Sequence, residues 1–140
     1  MQAGHMQIGE VAARTELSLR TIRHYEEVGL VIPSARSAGG FRLYTERDVA
    51  RLMVIRRMKP LGFTLEQMGD LLEATDRLDD PDRLEPDELD QLMERVRGYE
   101  RIALDRIADL RTQLGRAEDF AATLHARLDQ AAPTGSRLPA

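Results

Sequence analysis

The stretch Leu17-Ser18-Leu19-Arg20-Thr21-Ile22-Arg23-His24-Tyr25-Glu26-Glu27-Val28-Gly29-Leu30 decides how the first half of this 140-residue chain folds. It predicts a short helix that Ser18 caps at its N-terminus and that runs to about Val28. Gly29 follows at the position where a left-handed backbone is favoured, so the helix is expected to stop there. The apolar side chains expected to point inward are Leu17, Ile22 and Val28. The basic side chains are left to solvent or to a partner.

The elements on either side of this helix complete a winged helix-turn-helix pattern. Residues 8–15 repeat apolar side chains at helical spacing and predict a first short helix. Residues 34–44 predict two strands around a Gly-Gly turn, where glycine supplies positive φ. In the second strand Phe41 and Leu43 alternate with Arg42 and Tyr44, which predicts one apolar face and one polar face. A basic helix followed by a basic hairpin is the layout of a winged DNA reader.

Two further helices and a long one are predicted beyond the hairpin. Thr45 and Thr64 each begin a helix with a capping box, and Pro60 is expected to end the first of the two early. Residues 76–85 form an acidic, proline-containing linker. Residues 86–131 then predict one uninterrupted helix, roughly 65 Å long at 1.5 Å per residue.

The long helix carries one apolar stripe whose steps alternate between three and four residues, with a single stutter. A stripe of this length is too long for the small head to bury alone, so a second copy of the chain is implied. We therefore expect a mainly α protein: a winged helix-turn-helix head with a small β-hairpin wing, followed by a long dimerisation helix in a coiled coil. The stripe comprises Leu89, Leu92, Val96, Tyr99, Ala103, Ile107, Leu110, Leu114, Ala117, Ala121, Leu124 and Leu128.

The charge of the chain is divided between its two parts. The net charge is −4, but residues 1–62 hold ten Lys and Arg against six Asp and Glu, whereas residues 63–140 hold ten against 18. A basic front concentrates the field that attracts phosphate. The absence of cysteine excludes disulfides, thiol nucleophiles and cysteine-based zinc sites. Since no nucleophile–base pair, phosphate loop or metal cluster is evident either, an enzyme is disfavoured.

Several segments resemble the MerR family of transcriptional regulators. The resemblance covers residues 6–75 and rests on residues 8–12, 20–30, Arg36, 39–44 and 61–66, in the family's order and spacing. It implies an antiparallel coiled-coil homodimer on an operator inside a promoter whose spacer is too long. Such regulators bend and untwist the spacer so that RNA polymerase can engage both promoter elements. Glu16 departs from the family pattern, because it stands where the turn between the first two helices usually has glycine.

From these patterns we expect a cytoplasmic, nucleoid-associated bacterial regulator of promoter DNA, with no metal and no cofactor. The rival interpretations are a merely solvated basic helix, a coiled-coil adaptor, and an excisionase-like architectural DNA binder without effector control. The expected DNA contacts are Ser18, Arg20, Thr21, Arg23, His24 and Tyr25 in the helix, and Arg36, Gly40, Phe41, Arg42 and Tyr44 in the wing.

The signal that controls the regulator is left open among three alternatives. One is a small apolar ligand held near Met68, Leu72, Met93 and Tyr99; the others are a protein partner and constitutive action. Residues 1–5 are interpreted as a leader or cloning remnant, and residues 132–140 as a disordered tail.

Overall fold

The computed structural model describes residues 4–133, and most of them are helical. The predicted leader (residues 1–5) and tail (residues 132–140) lie largely outside this range and stay predictions. In chain order the elements are β1 (Met6–Gln7), α1 (Ile8–Thr15), α2 (Leu19–Glu27), β2 (Ala35–Arg36), β3 (Arg42–Tyr44), α3 (Glu46–Met58), a 3-10 turn (Lys59–Leu61), α4 (Leu65–Leu78), a second 3-10 turn (Pro81–Arg83) and α5 (Pro86–Ala131).

The predicted hairpin is present and belongs to a three-stranded antiparallel sheet of order β1-β3-β2. The strand β1 was not predicted, because two residues are too few to show alternation. The predicted faces of β3 are wrong: Tyr44 is fully buried, whereas Phe41 is 64% exposed. Since β3 is the central strand and pairs with β1 at Met6, Tyr44 is enclosed by neighbours, while Phe41 stands in the turn.

The two ends of α2 are formed by the residues predicted to cap and to stop it. The Ser18 side chain accepts a hydrogen bond from the amide of Thr21 at 3.0 Å, and Gly29 has φ +81°. Glu16 adopts φ +58°, the one positive φ of a non-glycine residue among residues 4–133, at a cost on the order of 1 kcal/mol. The inward placement of Val28 is wrong: α2 ends one residue earlier, and Val28 is 44% exposed.

Local capping interactions and a proline determine where α3 and α4 begin and end. Thr45 and Thr64 both form complete capping boxes, with Asp48 and Gln67 as their partners. The helix α3 ends at Met58 and continues as a 3-10 turn containing Pro60, which confirms the predicted early stop. The boundaries of the predicted linker are wrong, because α4 runs to Leu78 and a 3-10 turn follows. An ion pair of 2.8 Å between Arg51 and Asp76 holds this end of α4 against α3.

The head has one apolar core, and the beginning of α5 contributes to it. Val11, Ile22, Leu52 and Ile55 are fully buried, and Leu92 of α5 is only 2% exposed. The head thus forms a compact unit that ends at Tyr99. The prediction that a partner chain buries Leu92 is therefore wrong, because the head of the same chain already covers it.

A second compact unit begins at Glu100 and consists, within the described range, of the remainder of α5 and the two residues after it. Large apolar side chains on this segment are open to solvent in the single chain. They are Leu104, Leu110, Leu114, Phe120, Leu124 and Leu128, which are 48–72% exposed. Among residues 4–133, no helix combines the length and hydropathy that a membrane crossing requires.

Candidate nucleic-acid interface

The exposed side of α2 and the turn after α3 share one open groove. Ile22 and Tyr25, 0% and 3% exposed, anchor α2 in the core and turn its basic side chains outward. The His24 ring lies 5.9 Å from the Tyr25 ring, centroid to centroid. The groove is lined by Arg20, Thr21, Arg23, His24, Tyr25, Glu27 and Lys59. The structure brings together five residues that were predicted from sequence to contact DNA, but the side chain of Tyr25 is buried and packs α2 onto the core instead of facing outward.

Lys59 is the basic residue of this groove that sequence reasoning missed. It comes from the 3-10 turn after α3, more than thirty positions along the chain from α2. The available signal was composition: Lys59 is the single lysine among 20 basic residues. An ammonium group at the edge of a basic groove suits a phosphate contact, because it is a compact charge that accepts many approach directions.

The wing presents its turn residues and one arginine to solvent. The amide of Gly40 donates to the Ser37 carbonyl at 2.9 Å, and Gly40 has φ +82°. The Arg36 side chain donates from Nη1 to the Gly40 carbonyl at 3.1 Å, which keeps this guanidinium beside the turn. With Phe41 exposed, the predicted wing contacts Arg36, Gly40 and Phe41 all lie at the accessible end of the hairpin.

Glu26 connects α2 to the wing through two hydrogen bonds. Its Oε1 accepts from Arg42 Nε at 2.5 Å, and its Oε2 accepts from the Tyr44 hydroxyl at 2.7 Å. Burial, and then the hydrogen bond to Glu26, raise the pKa of Tyr44 above its ordinary value. The prediction that Tyr44 contacts DNA is therefore wrong, since its side chain is buried and its hydroxyl is engaged inside the head. Sequence reasoning missed Glu26, because its partners lie 16 and 18 positions away.

A second polar cluster joins α4 to the beginning of α5. Asp70 accepts hydrogen bonds from Arg95 and from the Tyr99 hydroxyl, the latter at 2.6 Å. The hydrogen bond from Tyr99, followed by that from Arg95, lowers the pKa of Asp70. Desolvation, and then the bond to Asp70, raise the pKa of Tyr99 to about 12. The Tyr99 ring also lies 6.0 Å from the Phe63 ring, so this residue is held by the head.

The surface beside this cluster differs from the predicted apolar ligand site. Met68 and Leu72 are 2% and 3% exposed and belong to the core, while Met93 is on the surface. The groove at this place is lined mainly by polar residues, namely Thr64, Glu66, Gln67, Gly69, Asp70, Glu73 and Tyr99. Its chemistry does not match an apolar ligand, because the methionine and leucine expected to hold one are already packed.

Metal-ligating side chains are scattered in the described part of the chain. Residues 4–133 contain no group of three or more His, Asp or Glu side chains placed to hold one ion. The full sequence has no cysteine to add a thiolate ligand.

Comparison with known proteins extends the likeness beyond the head. A family model described as "MerR HTH family regulatory protein" matches residues 6–75, and one described as "MerR, DNA binding" matches residues 49–127. The HTH-type transcriptional regulator CueR of Salmonella typhi is 37% identical over 109 residues, which cover 78% of this chain and 76% of CueR. HmrR of Sinorhizobium medicae is 34% identical over 119 residues, which cover 85% and 71% of the two chains.

Solved structures agree with these sequence matches at the level of the fold. The crystal structure of HiNmlR, a MerR family regulator lacking the sensor domain and bound to promoter DNA, has a TM-score of 0.69 at 23% identity and covers 94% of this chain and 96% of its own. A MerR family regulator from Bacillus thuringiensis has a TM-score of 0.64 at 22% identity, covering 85% and 98%. Together with the groove and the wing, these matches show that the chain belongs to the MerR family of helix-turn-helix transcriptional regulators.

Proposed function

We propose that this chain is a sequence-specific regulator that binds promoter DNA as a homodimer and distorts an over-long promoter spacer. The observation that carries the proposal is the groove on α2, in which Arg20, Arg23, His24 and Lys59 converge. The tip of the wing is exposed as well. A short helix whose open surface carries several basic side chains can enter the DNA major groove, where those side chains meet the phosphates on either side. Such a regulator would act on the bacterial nucleoid, in the cytoplasm.

Within this proposal α2 and the wing have different roles. Arg20 and Arg23 are exposed on α2 and can reach base edges, where arginine pairs bidentately with guanine. Ser18 and Thr21, hydrogen-bonded to each other at 2.8 Å, lie at the N-terminus of α2, where backbone amides favour phosphate. Arg36, Gly40 and Phe41 of the wing, with Arg42 behind them, contact the sugar–phosphate backbone and fix orientation.

The homodimer is proposed from the second unit considered by itself. Leu110, Leu114, Leu124 and Leu128 are 48–72% exposed on one helix that has no apolar surface of its own to cover them. Full burial of a leucine side chain contributes about 1.5–3 kcal/mol, so pairing this stripe with a second copy gives a strong driving force. The same unit also contains smaller or half-buried residues of the predicted seam, namely Ala103, Ile107, Ala117 and Ala121.

The signal is proposed to be something other than a small apolar ligand. The predicted ligand residues are packed in the core, and the neighbouring groove is polar. A protein partner and constitutive action are the two alternatives consistent with that surface. RNA polymerase holoenzyme is the partner through which a distorted spacer would change transcription.

The decisive experiment selects binding sites from a random duplex library and then measures transcription from a promoter carrying the selected site. We expect an inverted repeat, and transcription that depends on this protein only when the promoter spacer is over-long. Shortening the spacer to the usual length should remove the dependence. An excisionase-like architectural protein would instead bind without regard to spacer length and leave transcription unchanged, which would overturn the proposal.

A further inference from the structure

Glu26 places a negative charge between the two parts of the head that are proposed to meet DNA. It lies in the last turn of α2, and its side chain is 12% exposed. A carboxylate so close to a phosphate-binding surface weakens binding through repulsion. If Glu26 nevertheless favours DNA binding, it must do so through another effect that outweighs this repulsion. The hydrogen bonds of Glu26 indicate which effect that is.

The two oxygens of Glu26 hold the same strand at two points. Oε1 accepts from Arg42 Nε at 2.5 Å, and Oε2 accepts from the Tyr44 hydroxyl at 2.7 Å. Both partners belong to β3, which is also paired with β1 and β2. Because Tyr44 is fully buried, one oxygen is anchored in the core while the other faces the more exposed arginine. The carboxylate thus joins α2 to β3, the central strand of the sheet.

The bond through Nε determines which donors of Arg42 remain available. The guanidinium is planar and rigid, so fixing its Nε edge also fixes the direction of its two terminal amino groups. The Arg42 side chain is 38% exposed, and within residues 4–133 no acceptor engages Nη1 or Nη2. Those two groups are free to form charge-assisted hydrogen bonds to a phosphate.

We propose that Glu26 is a positioning residue for DNA binding: through its bond to Nε it holds the Arg42 guanidinium against α2, so that α2 and this wing arginine meet DNA as one preformed surface. This inference rests on the proposed DNA-binding function. The gain is that the Arg42 side chain is ordered during folding, rather than at the moment of association.

The sign of one substitution separates positioning from simple electrostatics. Glu26→Gln removes one negative charge, which by repulsion alone tightens DNA binding. If Glu26 positions Arg42, the same change weakens binding, by roughly two- to tenfold. Glu27→Gln is the matched control, because Glu27 is the next residue, is exposed and lines the groove. Within residues 4–133, it forms no hydrogen bond or ion pair with the wing. We expect Glu27→Gln to tighten binding.

The measurement is fluorescence anisotropy of the full chain with a mixed-sequence DNA duplex over a range of salt concentrations. Alongside the two glutamine variants it uses Arg42→Ala and the double variant Glu26→Gln/Arg42→Ala. If Glu26 acts through Arg42, Glu26→Gln weakens binding in the wild-type background and no longer weakens it when Arg42 is alanine. The salt dependence should fall by about the same amount in Glu26→Gln and in Arg42→Ala.

A further variant distinguishes positioning from loss of stability. Tyr44→Phe breaks the other hydrogen bond of Glu26 and leaves both the carboxylate and its bond to Arg42 in place. We expect it to lower the melting temperature while leaving DNA affinity within about twofold of wild type. Equal weakening by Tyr44→Phe and Glu26→Gln would overturn the positioning role, and so would tighter binding by Glu26→Gln.

Failure of the inference can be told apart from failure of the proposed function. If the wild-type chain binds no duplex DNA at any salt concentration, both are overturned. If it binds DNA and Arg42→Ala weakens that binding, but Glu26→Gln behaves like Glu27→Gln, then the function stands and the positioning role of Glu26 is refuted.

Discussion

The hydroxyl group of Tyr99 in α5 donates a hydrogen bond to Oδ2 of Asp70 in α4, over 2.6 Å. Arg95, one turn earlier in α5, donates to the same carboxylate. With Leu92 buried in the core, these contacts make the first turns of α5 part of the head. Substitutions in this contact between α4 and α5 should therefore change the stability of the head.

Tyr99→Phe should lower the free energy of unfolding by about 1 kcal/mol at neutral pH, because it removes one hydrogen bond to a charged, partly buried acceptor. The ring contact with Phe63 is kept in this variant. Chemical denaturation followed by circular dichroism measures the change. An unchanged midpoint and slope would show that the hydrogen bond adds nothing beyond the contacts of the ring.

The same hydroxyl should make stability depend on alkaline pH. The Tyr99 pKa is raised from 10.0 to about 12, so the unfolded chain loses this proton first, and stability falls as pH rises from 10 towards 12. Below pH 10 both states keep the proton and the contribution is complete. In Tyr99→Phe the fall over this range should be smaller than in wild type. Parallel curves for the two proteins would contradict the assignment.

At acid pH the partner carboxylate should give the opposite dependence. The Asp70 pKa is lowered from 3.8, chiefly by the hydrogen bond from Tyr99, so its contribution is complete above pH 3.8 and is lost as pH falls through the lowered value. Asp70→Asn removes this titration. The melting temperature of wild type should therefore decrease more steeply below pH 3.8 than that of Asp70→Asn. A steeper decrease in the variant would be the wrong sign.

Arg23→Ala tests whether α2 reads bases. A bidentate arginine–guanine pair discriminates by roughly 1–3 kcal/mol, so the variant should lose more affinity for the selected site than for random DNA. Arg83→Ala is the control, since Arg83 is 85% exposed in the turn before α5 and pairs with Asp80. Competition binding with both DNAs gives the ratio. Equal losses on the two DNAs for Arg23→Ala would assign Arg23 to the backbone instead.

Leu110→Asp tests the proposed dimer. It places a carboxylate in the apolar stripe of the second unit, where burial of an unpaired charge is costly, and it should yield monomers that bind the selected site poorly. Thr112→Asp adds the same charge on the opposite side of the helix and should stay dimeric. Sedimentation of both variants and wild type at micromolar concentration measures the state. A monomeric wild-type chain would refute the dimer.

We predict that copper, zinc, cadmium and mercury at stoichiometric concentration change neither DNA affinity nor transcription. Soft metals are held best by thiolates, and the sequence contains none. A specific response at one ion per subunit would reveal a carboxylate–histidine site.

The parts of the fold that sequence predicts well are those whose causes are local. The caps at Ser18, Thr45 and Thr64 each use a partner three residues away, and the left-handed conformation at Gly29 follows from where α2 must end. Five of the groove residues were found for the same reason, since they share one short helix. The long helix was predicted over residues 86–131, and the structure has it over the same range, Pro86–Ala131. This agreement follows from an apolar spacing that persists over many turns.

The parts that sequence did not predict depend on contacts between distant residues. The alternation of apolar and polar residues in β3 predicted Tyr44 on a polar, exposed face. Instead, β3 pairs with a strand on each side, so Tyr44 is buried and its hydroxyl reaches Glu26. Lys59 joins the groove only because α3 brings its end beside α2. Leu92 fits the heptad stripe as well as Leu110 does, and only the packed head distinguishes the two.

The burial of Leu92 has a consequence for chimeric regulators, in which a head from one relative is fused to the helix of another. A junction at the start of α5, near Pro86, looks natural on a diagram of elements, but it would replace Leu92, Arg95 and Tyr99 with residues selected against a different surface. A junction after Tyr99 transfers the whole interlocked unit. Chimeras within this family should therefore tolerate a junction directly after Tyr99 better than a junction at Pro86, where the long helix begins.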